Sequence, residues 1–163
     1  MATPPQRPPV RLFLDTGVLI DGFFNRWGTC KAVLILATLR AQFRAIVADP
    51  VGEELARTVK SKEVRLSADS ADEAQVVDEG IARWFSIARP ERVPWPSAAD
   101  MLAHDDLLSA VRHEKDMSAV VAAVLARPNW VLSTNTAHWN EELATRTGLR
   151  IATPATFLSS LRP

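Results

Sequence analysis

The run Val10-Arg11-Leu12-Phe13-Leu14-Asp15-Thr16-Gly17-Val18-Leu19-Ile20 decides the fold class. Its first five residues form an apolar stretch of strand length that stops abruptly at an acid, which reads as a buried first strand. Asp15-Thr16-Gly17 supplies turn or cap chemistry, and Val18, Leu19 and Ile20 with Phe23 and Phe24 then begin a helical apolar face. The local order is therefore strand, acid, helix.

Working outward, Gly28-Thr29 punctuates the chain with Thr29 as a cap. Ala32, Val33, Leu36, Leu39 and Phe43 follow at helical spacings. Arg44-Ala45-Ile46-Val47-Ala48 reads as a second strand closed by Asp49-Pro50, and residues 51–60 are helical in composition with Glu53 and Glu54 in the first turn, where acids suit the helix dipole. Residues 67–88 are amphipathic, with Val76, Val77, Ile81, Trp84 and Phe85 on one face. Pro90, Pro94 and Pro96 form a rigid connector; helices are expected over residues 97–113 and 116–126, the latter showing Val120, Val121 and Val124 on one side and ending at Pro128. Trp130-Val131-Leu132-Ser133 and Leu149-Arg150-Ile151-Ala152 are third and fourth strands, with a short helix over 141–145 between them and a last helix opening at Pro154.

Strands separated by helices imply right-handed crossovers and a parallel sheet covered on both faces. The expected architecture is thus α/β and three-layered. It forms one domain over residues 10–163 behind a proline-rich arm over residues 1–9 that contains Pro4, Pro5, Pro8 and Pro9. In such sheets ligands bind outside the carboxyl ends of the strands.

Composition agrees with this. A chain of 163 residues, 47% hydrophobic and 23% charged, suits one compact soluble domain. Cys30 is the only cysteine, which excludes an internal disulfide and a multi-cysteine metal site and fits a reducing, cytoplasmic setting. It also lacks the paired histidine and aspartate pattern of a thiol nucleophile. No apolar run approaches the roughly 18 residues that span a bilayer, so neither a membrane helix nor a signal peptide is expected. Among six glycines there is no G-x-G-x-x-G or Walker-type loop, which argues against a nucleotide-binding α/β domain.

The 19 basic and 19 acidic side chains cancel, removing the global basic footprint of many nucleic-acid binders. The sum hides segregation: residues 1–44 carry a net +4, residues 45–126 a net −6 and residues 127–163 a net +2. The basic ends, including Arg7, Arg11, Arg26 and Lys31, are candidates for phosphate contacts.

Asp15 ends the first strand, Glu53 and Glu54 open the helix after the second, Asp116 opens the helix before the third, and Asn135 follows the third. Each taken singly fits a helix cap or a dipole partner. Taken together at one rim they fit hard oxygen ligands for magnesium or manganese, since clustered carboxylates repel one another unless a cation sits among them. A divalent ion so held can lower the pKa of a bound water and neutralise charge on a phosphodiester.

Four segments resemble the motifs of PIN domains. Residues 11–20 are similar to the first motif, an apolar strand followed by Asp-Thr-x-x-Leu. Pro50-Val51-Gly52-Glu53-Glu54-Leu55 is similar to the second, in which the glutamate immediately before leucine is the acidic ligand, favouring Glu54 over Glu53. Residues 113–123 resemble the third, where an aspartate, here Asp116, begins an alanine-rich helix. Residues 130–139 resemble the last, with Ser133 and Asn135 on its polar positions. The resemblance spans about Val10 to Phe157. It implies a Rossmann-like α/β scaffold and a metal-dependent endoribonuclease. Asp15, Glu54 and Asp116 would hold Mg2+ or Mn2+, and Asn135 would complete or orient the site. It also implies an RNA substrate and, for VapC-type members, a toxin restrained by an antitoxin protein.

The sequence departs from that pattern where Asn135 replaces a frequent aspartate and where His113 and His138 stand at positions often acidic. These departures define the alternative reading, a catalytically degenerate PIN domain acting as a protein or RNA interaction module. Thr16, Ser133 and His138 are candidate substrate-side or supporting residues. Asp105 and Asp106 are rival carboxylates or a solvated helix face, while His104 and His113 read as surface residues. Trp84, Trp130 and Trp139 read as packing. Trp95, between two prolines, is the candidate for a partner or RNA contact. Helices around Phe23, Phe24, Leu34 and Leu39 offer a homodimer face.

Overall fold

The computed structural model describes residues 7–69 and 71–162. Pro4 and Pro5 of the arm, and Ser70 within the expected 67–88 helix, lie outside the described residues. Five strands build the sheet: β1 (Val10–Leu14), β2 (Phe43–Ala48), β3 (Glu91–Val93), β4 (Trp130–Leu132) and β5 (Ile151–Ala152). They lie in the order β3-β2-β1-β4-β5, and every neighbouring pair is parallel. Successive strand residues face opposite sides of a sheet. Leu12, Phe13 and Leu14 are all fully buried, so both faces of β1 are covered, as a parallel sheet requires.

Among the described residues eight α-helices flank this sheet: α1 (Thr16–Phe24), α2 (Thr29–Leu36), α3 (Asp49–Asp69), α4 (Ala71–Ala88), α5 (Ala98–Ala103), α6 (Met117–Ala126), α7 (Glu141–Thr147) and α8 (Pro154–Ser160). Helix α1 packs on α2, α3 and α4, while α6 packs on β2, α3 and α5. The indole N–H of Trp84 on α4 donates to the Leu34 carbonyl on α2 at 2.8 Å. The approach of α1 to α2 is close because position 22 is glycine: a Cβ there would lie 2.5 Å from Leu34 Cδ1 and 3.2 Å from the Cys30 carbonyl. Among the described residues no helix is long and apolar enough to cross a membrane.

Several elements differ from the sequence reading. The second helix ends at Leu36, and Phe43 begins β2 instead of continuing the helix, pairing in register with Val10. Thr29 is the first helical residue; the cap position belongs to Gly28, whose φ of 122° favours glycine. The helix expected over residues 51–60 runs from Asp49 to Asp69. The proline connector contains an edge strand, β3, between Pro90 and Pro94. The helix expected over residues 97–113 breaks into α5 and a 3-10 turn over Asp105–Ser109. Ser97 and Asp100 close a capping box at its start, and the His104 ring sits 2.8 Å from the Asp100 carbonyl where α5 ends. Asp116 likewise lies in a 3-10 turn, at the position that precedes α6.

Candidate functional site

The strand order reverses direction at β1: the chain moves first to β2 and β3 on one side, then to β4 and β5 on the other. That switch point opens a crevice at the carboxyl ends of β1 and β4. Asp15 stands there directly after β1, its backbone N–H donating to the Leu132 carbonyl at 3.0 Å. Ser133 and Asn135 follow β4 on the facing loop. The Ser133 hydroxyl donates to Asp15 Oδ2 at 2.6 Å and accepts the Asn135 N–H at 2.9 Å. Asn135 Oδ1 accepts the His138 N–H at 3.2 Å, so its side chain folds the loop on itself.

Asp15 occupies the cap position of α1 and Asp116 that of α6, yet neither carboxylate makes a capping hydrogen bond. The capping explanation for these acids therefore fails, and both carboxylates are directed to other partners. Thr16 is not a cap either. It is the first residue of α1, and its hydroxyl donates to Glu54 Oε2 at 2.7 Å, joining the first and second acidic positions. Asp116 Oδ2 lies 3.7 Å from His138 Nδ1. Glu54 and Asp116 line one cavity of about 390 Å³ together with Arg57, Lys115, Trp95 and Pro50.

Electrostatics at the rim centre on Asp15. Its pKa is raised from 3.8, chiefly because burial disfavours the charged form; hydrogen bonds from the Ser133 side chain and the Thr16 backbone oppose the shift. The Trp139 indole N–H also lies near enough to favour the charged form, although it does not reach hydrogen-bond geometry. Three buried polar atoms gather here without a hydrogen-bond partner: His138 Nδ1, His138 Nε2 and Trp139 Nε1. Unsatisfied buried groups are costly and mark places where a ligand, ion or water completes the structure. Among the described residues no three Asp, Glu, His or Cys side chains stand as a set that could already hold a metal ion. The carboxylates themselves suit a hard divalent cation: Glu54 and Asp116 line one cavity, and Thr16, next to Asp15, holds Glu54.

Structure separates other sequence candidates from this rim. Glu53 lines a different cavity, of about 1090 Å³, and not the one that holds Glu54. Asp105 and Asp106 are exposed on their 3-10 turn, and the Asp106 carbonyl accepts from Arg146. His104 is half-buried, in contrast to the surface reading, whereas His113 is exposed. Leu34, expected on a dimer face, is buried in the core, although Leu39 is exposed.

The cations differ most. Arg11 sits near the start of β1, away from the rim, and its guanidinium is engaged by Glu91 at 2.6 and 3.2 Å and by the carbonyls of Ala126 and Arg127. Arg26 and Lys31 line a groove between α1, α2 and α4. Arg57 and Lys115 are the basic residues beside the acids, and sequence reading missed both. Their only signal was adjacency: Arg57 lies three residues after Glu54, and Lys115 immediately precedes Asp116. Trp139, read as packing alone, stacks edge-on to His138 at 5.5 Å between ring centroids and also contributes its indole N–H to the rim.

The parallel five-stranded sheet with its switch point and flanking helices is a Rossmann-like α/β architecture. No protein-family model and no curated protein matches the chain. Solved structures do. A chain in the crystal structure of VapBC2 from Rickettsia felis bound to a DNA fragment from its promoter superposes with a TM-score of 0.61 at 13% identity, covering 88% of this chain and 98% of that one. A chain in the structure of DNA-bound VapBC from Salmonella typhimurium gives a TM-score of 0.56 at 19% identity, covering 89% and 98%. The fold expected from the resemblance is the fold found, and at these identities the likeness establishes the fold alone.

Proposed function

We propose that this chain is a metal-dependent endoribonuclease, with Asp15, Glu54 and Asp116 holding Mg2+ or Mn2+ at the switch-point rim. The observation that carries this reading is that Asp15 and Asp116 occupy helix-cap positions without spending their carboxylates on caps, while Glu54 and Asp116 line one cavity. When bound, a divalent ion would supply activation of water and neutralisation of charge on the phosphodiester. The protein's own groups position the site. Ser133 fixes one Asp15 oxygen, Thr16 fixes one Glu54 oxygen, and Asn135 holds the loop that carries Ser133 and His138. Asn135 thus orients the site through its backbone and amide contacts, a role that does not need the negative charge of an aspartate.

Cleavage of a purified RNA with added manganese or magnesium tests the assignment. The parent should cleave, and Asp116→Asn should lose most of the metal-dependent rate. Equal rates in the two proteins would refute it. A toxin role follows as the finer part of the proposal: the chain would be restrained by an antitoxin. An apolar groove of about 840 Å³ lined by Phe23, Phe24, Ile35, Val76 and Ile87 supports a protein partner, since Ile35 and Val76 are 59% and 68% exposed. Co-purification of a small partner encoded beside this gene, with inhibition of cleavage, is the expected result.

The interaction-module reading draws on Asn135 and His138, neither of which supplies a carboxylate. Calorimetric titration with manganese separates it from catalysis: absence of carboxylate-dependent binding would favour the module.

A further inference from the structure

We propose that the Pro94-Trp95-Pro96 segment after β3 is a stacking platform for an unpaired nucleobase of single-stranded RNA, with Arg57 and Lys115 taking the phosphates beside it. This rests on the nuclease reading and names the residues of this chain that would contact an unpaired RNA strand.

Trp95 is 50% exposed, which leaves half of its surface open to a partner. It lines the cavity that contains Glu54 and Asp116, and it also lines the larger cavity bounded by Phe85, Lys60 and Arg89. One indole therefore stands at the junction of two recesses. The smaller of them, at about 390 Å³, falls within the range of roughly 300–1,000 Å³ typical of small-ligand sites. Proline on each side fixes φ at both neighbours, so the ring is presented with little conformational entropy left to lose on binding.

Charge in the smaller cavity has the complexion of a nucleotide site. Two acids, Glu54 and Asp116, suit the cation that a scissile phosphate requires, and two bases, Arg57 and Lys115, suit flanking phosphates. Among the described residues neither Arg57 nor Lys115 is held in an ion pair, so both charges are available. Stacking needs an accessible base face. A duplex keeps its faces against neighbouring bases, whereas an unpaired nucleotide can lay one on an indole. An exposed aromatic in the same cavity as two cations and two carboxylates thus favours a single strand.

The test uses the full chain in an Asp116→Asn background to stop turnover, titrated with a short mixed-sequence single-stranded oligoribonucleotide and with a blunt hairpin of the same composition. The single strand should quench tryptophan fluorescence, and Trp95→Phe should remove most of that quenching while preserving the fold. Trp95→Ala should weaken single-strand binding by about 5- to 150-fold and leave hairpin binding unchanged. Lys115→Gln should reduce the salt slope of single-strand binding by about 0.7. Undiminished quenching in Trp95→Phe, equal weakening for both RNAs in Trp95→Ala, or a parent that prefers the hairpin would each overturn the proposal. If Trp95→Ala does not fold, the Trp95→Phe quenching decides the matter. Metal-dependent cleavage by the parent with RNA binding indifferent to Trp95 would refute the stacking site alone. Absence of both cleavage and RNA binding would refute the nuclease reading and the stacking site with it.

Discussion

Replacing Asp15 by asparagine should make the metal-free protein more stable and the metal-loaded protein less so. The substitution keeps the side-chain volume, and the amide oxygen can still accept from the Ser133 hydroxyl that now reaches Asp15 at 2.6 Å. What it removes is an ionised carboxylate whose charge is disfavoured by burial, only partly offset by Ser133 and the Thr16 backbone. Because the folded pKa is raised above 3.8, the parent carries no penalty in acid, where the carboxyl is protonated in both states. It loses stability as pH climbs from about 3.8 to the raised value and stays lower at neutral pH; the variant has no such dependence. The stability gap in EDTA should therefore be nil near pH 3 and open towards neutrality. Manganese should reverse the order. An ion at 100 times its Kd contributes about 2.7 kcal/mol, which for a chain of this size raises Tm by about 5–11 °C. If losing one carboxylate weakens the ion about 100-fold, the variant at the same concentration gains only about 0.4 kcal/mol, or about 1–2 °C. Thermal unfolding across pH with EDTA or manganese reads both effects. A variant that melts below the parent in EDTA, or gains as much as the parent from manganese, would refute the reasoning.

Further outcomes follow from other contacts. Gly22→Ala would drive a Cβ against Leu34 Cδ1 and Cγ in a buried packing site, and should cost about 1–3 kcal/mol in denaturant unfolding; the double variant with Leu34→Ala should show strong non-additivity. Cys30 is buried, and its thiol is pushed up to about 11 by burial and then by Asp21, so it should resist iodoacetamide at pH 8 in the folded protein and react on unfolding. Arg11→Lys replaces a fork shared between Glu91 and two carbonyls at the end of α6. Because the ion pair is about a third exposed, a loss of about 1 kcal/mol is expected, measured by chemical denaturation at two salt concentrations.

How much of this was legible in the sequence varied with how local the governing physics is. β1, Asp15 and α1 could be read directly, because a continuous apolar run ending at an acid is a pattern over adjacent residues. β3 could not: Glu91-Arg92-Val93 is three residues long, mostly polar, and becomes a strand only by pairing with Ile46, Val47 and Ala48 of β2. The expected long helix over 97–113 had suitable composition, but His104 bonding to the Asp100 carbonyl accompanies its end after one and a half turns. Phe43 continued a helical spacing and yet joined the sheet, because its pairing with Val10 extends β1 and β2 together.

At the candidate site, the amino-acid sequence by itself determined which residue types follow each strand: Asp15 after β1, Glu54 in the helix after β2 (in its second turn, not the first as expected, because the helix starts at Asp49), Asp116 ahead of α6 and Ser133-Thr134-Asn135 after β4. Those placements depend on alternation, caps and breakers within a few neighbouring residues. Only the tertiary structure decided their partners. Ser133 reaches Asp15 across 118 positions and Thr16 reaches Glu54 across 38. It also withdrew Arg11 into a pairing with Glu91 and put Arg57, Lys115 and Trp95 beside the acids instead. The physical reason is that charge and hydrogen bonding act through space over a few ångströms, and distances along the chain carry no record of which distant side chains the sheet brings within that range.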